Sequence, residues 1–333
     1  MSQGDRDLYS PGRQMVTAAP SIARIREARG SLVGAAIRTP LVDLNMEDAL
    51  AGIHLKLENL QPVGAFKIRA AACAMAFAQP ADLGRGVLTA SAGNMGLAVA
   101  WEARRRGIPC TVVAPDTAPK AKLDGLRRLG ARVVSVSFDR WWSTLAERSY
   151  PGIEGAFVHP FDDENVMAAD GTIGLEIVED LPDVDVVLVP WGGGGLSIGI
   201  AAAIRAVKPS CRVFAVEVDG AAPLAPSLAA GRPVVVDYRP SFVDGIGSKT
   251  VFQNMFDLAR EYLAGSLITT PDGAARSVRI LLERNRVVAE GAGAAAVAVA
   301  ISGQAGNGRI ACVISGGNFD LHKVGTILEG RTP

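Results

Sequence analysis

The stretch DVVLVPWGGGGLSIGIAAAIRAV, residues 185–207, decides the fold. From Val186 to Trp191 it is apolar at every position, without the alternation that a strand wetted on one face would show. After four glycines it becomes an Ala- and Ile-rich run of helical character. A strand buried on both faces, a tight turn and then a helix form the repeating unit of a parallel sheet with helices on both sides. The unit recurs along the chain. GVLTA (86–90) precedes NMGLAVAWEARRRG (94–107), and CTVVAP (110–115) precedes APKAKLDGLRRLG (118–130), with ARVVSV (131–136) after it. CRVFAVEV (211–218) and RIACVIS (309–315) are further strand-like runs. The expected class is α/β, with twisted, mostly parallel sheets.

A length of 333 residues suits about two domains. The expected division is a smaller domain over 52–155 and a larger one combining 1–51 with 156–330. The first twenty or so residues read as a loosely held lead-in. Lys plus Arg (34) balance Asp plus Glu (34), so no electrostatic reason points to nucleic acid or an anionic membrane as a partner. No apolar run reaches membrane-span length, and the N-terminus has no secretory h-region. Cys73, Cys110, Cys211 and Cys312 are far apart and each lies in an apolar segment, which suits free thiols in a reducing cytoplasm.

Ligands of open parallel sheets collect in the loops after the strands. Three such loops stand out: SAGNMG (91–96), GGGG (192–195) and SGGN (315–318). Gly192, Gly193, Gly194 and Gly195 allow close approach of the backbone, and the following helix offers free N–H groups, so a phosphate is the natural occupant. A P-loop is excluded, since GIGSKT (245–250) lacks a Gly directly before Lys249. A dinucleotide site remains a rival, because Glu217 ends a strand about twenty residues beyond the glycines, where a ribose-binding acid would lie. His54, His159 and His322 are scattered and form no evident triad or metal cluster. In SAGNMG, Ser91, the amides of Ala92 and Gly93, and the Asn94 side chain suit a small carboxylate, although an N-cap and a turn would read the same. Finally, QPVGAFKIRAA (61–71) sets Lys67 in an otherwise small and apolar run at a helix start, the unfavourable end for a cation. Lys67 is either a solvated surface lysine or an amine kept partly deprotonated for chemistry.

A Lys after a small-Phe pair, an SxGN loop, a tetraglycine loop and a late SGxN, in that order, resemble the pyridoxal-phosphate enzymes of the tryptophan-synthase β-like fold (fold type II). Among these, the threonine/serine dehydratase group is nearest, with serine racemase close by, and the similarity runs from about residue 35 to 328. The resemblance implies pyridoxal 5'-phosphate held by Lys67 as a Schiff base, with Phe66 beside the ring. It places the phosphate on Gly192–Gly195 and Leu196, Asn94 at the ring hydroxyl and Ser315 at the pyridine nitrogen. Gly245 of DGIG (244–247) would face the ring opposite the lysine, and Glu290 of EGAGA (290–294) would lie near it. Ser91, Ala92, Gly93 and Asn94 would hold the substrate carboxylate. Glu217 and the Ala221 carbonyl match part of a site for a mono- or divalent cation, although Pro223 replaces its second acid.

The implied activity is α,β-elimination from a small β-hydroxy amino acid, L-threonine or L-serine, giving a 2-oxo acid and ammonia. Relatives acting on a hydroxyectoine-derived amino acid or 3-hydroxyaspartate would share the motifs, as would serine racemase. A nucleotide-binding dehydrogenase is the alternative of another class. Ala92 stands where the racemase has a second acid/base Ser, Met95 where dehydratases have His, and Ala65 where Ser is usual. A homodimer is implied. With about fifteen residues after SGGN, no C-terminal regulatory domain, and so no feedback by isoleucine, is expected.

Overall fold

Val186–Pro190 is buried at every position, as a strand with helices on both faces must be. It is the seventh of ten strands among the residues that the computed structural model describes, 15–47 and 52–333. The strands are β1 (Leu41–Asp43), β2 (Gly52–Lys56), β3 (Val87–Ala90), β4 (Cys110–Pro115), β5 (Arg132–Val136), β6 (Ala156–Phe157), β7 (Val186–Pro190), β8 (Arg212–Val218), β9 (Gly265–Thr269) and β10 (Arg309–Val313). They form a six-stranded sheet, ordered β1-β2-β10-β7-β8-β9, and a four-stranded sheet, ordered β5-β4-β3-β6. All pairings are parallel except β1 with β2. The fold is α/β, as the alternation of runs implies. The short strands β1, β2, β6 and β9 have no counterpart among the runs picked out from sequence. β2 belongs to the six-stranded sheet and β6 to the four-stranded one. The first fourteen residues of the expected lead-in lie outside the described residues.

Two helices carry the centre of the molecule. Glu164–Asp180 begins with Asp163, whose side chain accepts the N–H groups of Asn165 and Val166, and it is buried from Val166 to Ile177. Gly195–Val207 packs along it, and Gly199 is what permits the closeness. A Cβ there would lie 2.2 Å from the Met167 carbonyl oxygen, a backbone atom that cannot swing aside. The helix Lys67–Ala76 crosses the same Glu164–Asp180 helix and is buried from Ile68 to Met75.

The joint between them is ionic. Arg69 donates to Glu58 (2.8 and 2.9 Å), to Glu176 (2.7 and 2.9 Å) and to the Thr172 hydroxyl (3.1 Å). Lys56 pairs with Glu176 at 2.6 Å and donates to the Thr39 carbonyl. All four charged groups are buried, and two cations meet two anions. The four cysteines are buried free thiols, pushed up by burial, Cys110 to about 12. No helix among the described residues is long and apolar enough to cross a membrane. The Gly199→Ala variant should lose about 1–3 kcal/mol of stability, the usual cost of overpacking, read as a lower urea midpoint at unchanged slope.

Candidate active site

Lys67 is the first residue of its helix, and the turn before it is pinned by the far end of the chain. The Phe66 N–H donates to the Ser315 carbonyl at 3.0 Å, and Ala65 bridges to Gly316. The lysine stretch and SGGN are therefore one piece of structure. Phe66 is buried in the core of the six-stranded sheet, and its ring centroid lies 4.6 Å from Lys67 Nζ. Nζ donates to the Pro160 carbonyl at 2.5 Å. Loss of hydration holds the Lys67 amine below the ordinary lysine range, and the nearby Asp170 acts against that shift. A lysine so placed has a larger fraction of free amine, the form that attacks a carbonyl or takes a proton.

The tetraglycine loop follows β7 directly. Three of its members are demanded by packing. A Cβ on Gly193 would stand 2.2 Å from the Phe161 ring, on Gly194 2.4 Å from the Trp191 ring, and on Gly195 2.7 Å from the Phe161 carbonyl. Gly194 also has φ +97°, a conformation that side-chain-bearing residues rarely adopt. Gly192 is different: its nearest neighbour would be the Gly245 carbonyl at 3.5 Å, an ordinary contact, so the loop leaves room on that side. The helix Gly195–Val207 starts with no side-chain cap and no acidic residue in its first turn. Its first N–H groups are thus offered to a ligand, with the dipole favouring an anion. Leu196 is buried beneath the loop.

The third part of the site meets across the chain. Asn94 opens the helix Asn94–Arg106; its side-chain N–H₂ donates to Glu290 at 2.9 Å, and its carbonyl accepts from Asn318 at 2.8 Å. Gly245 abuts Glu290, since a Cβ on it would lie 3.1 Å from the carboxylate. Glu290 is buried, and burial followed by the like charge of Asp244 pushes its carboxyl up to about 7. Gly93 is the N-cap of the Asn94 helix, and its N–H donates to the Ser91 hydroxyl at 3.2 Å, with Ala92 between them. Met95 points into the core of the four-stranded sheet instead of the site. Lys122 and Asp244, 2.8 Å apart and largely exposed, bridge the helix Lys120–Arg128 to the loop holding Gly245.

Glu217 and Ala221 do not join this group. The two Glu217 oxygens accept the N–H groups of Leu224 and Ala225 at 2.8 and 2.9 Å and the Ser266 hydroxyl at 2.7 Å. The Ala221 N–H closes a turn onto the Val218 carbonyl. This carboxylate fastens the segment after β8. Among the described residues no cluster of three His, Cys, Asp or Glu side chains is placed to hold a metal.

A desolvated lysine, a glycine cradle open at Gly192 and an uncapped helix start fit a phosphorylated aldehyde. Comparison with known proteins agrees: residues 33–316 match the family model described as pyridoxal-phosphate dependent enzyme. The chain belongs to this family. An L-threonine ammonia-lyase of Thermotoga maritima is 40% identical over 92% of this chain and 77% of its own. The catabolic L-threonine dehydratase TdcB of Escherichia coli is 37% identical over 92% and 95%. Among solved structures, maize serine racemase superposes with TM-score 0.86 at 28% identity, covering 94% of this chain and 98% of its own. Threonine deaminase isoform 2 of Solanum lycopersicum gives 0.82 at 29%, covering 96% and 92%.

Several residues that meet Lys67, Asn94 and the glycine loop were not singled out from sequence. Asn318 lies inside the SGGN motif, whose final amide could have flagged it. Pro160, Phe161 and Asp170 carried no sequence signal, since a carbonyl acceptor, a ring against a glycine and a buried acid depend on packing. Glu290 yields a measurable consequence. Its carboxyl moves from an ordinary 4.5 to about 7 on folding, so the folded chain binds more protons between those pH values and this group withdraws stability as pH rises through the window. Glu290→Gln keeps the acceptor for Asn94. It should be more stable than the parent at about pH 8, on the order of 1–3 kcal/mol, with the gain vanishing near pH 4, as urea midpoints would read.

Proposed function

We propose that this chain is a pyridoxal-phosphate-dependent ammonia-lyase acting on L-threonine or L-serine, releasing a 2-oxo acid and ammonia. The observation that carries this is the Lys67 amine, kept below the ordinary lysine range and tied through Phe66 to the Ser315 loop. The threonine ammonia-lyases and dehydratases among the relatives support the substrate class. The cofactor, when bound, supplies an electron sink that acidifies the substrate Cα–H and makes expulsion of a β-hydroxyl feasible.

The chain supplies position and protons. Lys67 would hold the cofactor and, once free, take the Cα proton at Nζ. The amides of Gly192–Gly195 would hold the phosphate, with Leu196 beneath, and Phe66 and Gly245 would flank the ring. Asn94, fixed by Glu290 and Asn318, would bond the ring hydroxyl, and Ser315 the ring nitrogen. A hydroxyl at Ser315, unlike a carboxylate, would leave that nitrogen largely unprotonated. The loop Ser91–Asn94 would take the substrate carboxylate on its backbone N–H groups. Ala92 carries no transferable proton, so the opposite face of Cα lacks the acid that racemisation needs. Two copies of the chain would form a homodimer in the cytoplasm.

With pyridoxal phosphate bound, 2-oxo acid release from threonine and serine should be readily measured and fall by roughly 10²–10⁴-fold or more in Lys67→Ala. Release equal in parent and variant would defeat the assignment, and silence on both substrates in cofactor-loaded protein would move the search to larger hydroxylated amino acids. Chiral chromatography of L-serine incubations should find no D-serine. Its appearance at a rate comparable to pyruvate formation would restore the racemase reading.

A further inference from the structure

Asp170 lies in the middle of the helix Glu164–Asp180 and is completely buried. Both of its carboxylate oxygens lack a hydrogen-bond partner among the described residues. An acid in such a place is uncommon, because burial without partners is costly. The facing element is the helix Lys67–Ala76, and two residues along each helix the register is marked by Arg69 donating to Thr172 at 3.1 Å. The surrounding charges divide unequally. Arg69 and Lys56 are already matched by Glu58 and Glu176. Among the described residues, Lys67 is left as the cation of this group without an ion pair, and Asp170 as the anion.

We infer that Asp170 is a positioning residue for Lys67, supplying the counter-charge for the ammonium that Lys67 becomes when it takes a proton. This rests on the assignment of Lys67 as the catalytic amine. The electrostatics agree: burial pushes Asp170 up to about 7, and the Lys67 charge is the strongest of those pulling it back, ahead of Arg69, with Glu58 acting oppositely. Cys73, on the Lys67 helix, also senses Asp170, and its thiol stays protonated, pushed up to about 11. The helix Gly195–Val207, packed on the other side, has Arg205 as its sole ionisable side chain, and that is exposed.

The test is the reactivity of Lys67 towards acetic anhydride in the full chain freed of cofactor, followed against pH by mass spectrometry. Asp170→Asn removes the ionisable oxygen at nearly constant volume, and Asp170→Ala serves if the first variant folds poorly. Either should lower the labelling midpoint of Lys67 by about one pH unit, a roughly tenfold gain in free amine below it. In the loaded enzyme the same variants should lower kcat for the substrate turned over and leave KM nearly unchanged. Coincident midpoints in parent and variants would overturn the assignment of Asp170, whatever the activity. A shifted midpoint in a parent that releases no 2-oxo acid would uphold Asp170 and count against the proposed reaction instead.

Discussion

The buried guanidinium of Arg69 is the constraint on which the site depends. It binds two carboxylates and a hydroxyl that come from the turn at Glu58 and from the Glu164–Asp180 helix, and so fixes where the Lys67 helix can lie. Every member of the group is satisfied, with Thr39 donating to Glu58 at 2.5 Å and Lys56 closing the set. Such a cluster gives little net stability over an apolar alternative, yet removing one member strands a buried charge at a cost of about 3–5 kcal/mol. It holds by making other arrangements expensive. The lysine two residues before Arg69 inherits that fixity.

Around this joint the site is assembled from segments distant in sequence. The turn before Lys67 is sewn to Ser315 and Gly316 by backbone contacts, so the lysine cannot move without the SGGN loop. Asn94 is gripped between Glu290 and Asn318, which ties the four-stranded sheet's first loop to the six-stranded sheet's last one. Desolvation then does opposite things to opposite charges. It lowers Lys67 and raises Glu290 and Asp170, so three groups whose ordinary values lie far from neutrality are all drawn toward it.

β3, β4, β7, β8 and β10 were legible because they are buried at most positions and therefore mainly apolar, and β5, only half-buried, because its valines form a β-branched run. β1 and β6 were not, since they span only three and two residues and owe their pairing to neighbours. Within the site, the glycine loop could be read because only glycine fits beside Phe161 and Trp191, and Lys67 because a cation in that company needs a reason. Glu217 is ambiguous as a signal, since a strand-end acid can serve a ribose or a metal; here it accepts two amide N–H groups and a hydroxyl. Asp170 was invisible because it looks like one more acid in a helix until its neighbours are known.

The strand order has a consequence for synthesis. β10, residues 309–313, is inserted between β2 and β7. As the chain leaves the ribosome, β1 and β2 have only each other, and a lone two-stranded hairpin is marginal in water. The β7-β8-β9 half can pair among its own strands earlier, but it presents an open edge at β7 until residues 309–313 emerge. Closure of the larger sheet, and with it the contact between Ser315 and Phe66, is therefore a late event that joins segments far apart in the sequence. A nascent or truncated chain ending before residue 309 would carry two unpaired edges of buried apolar strand, and such edges invite pairing with other chains.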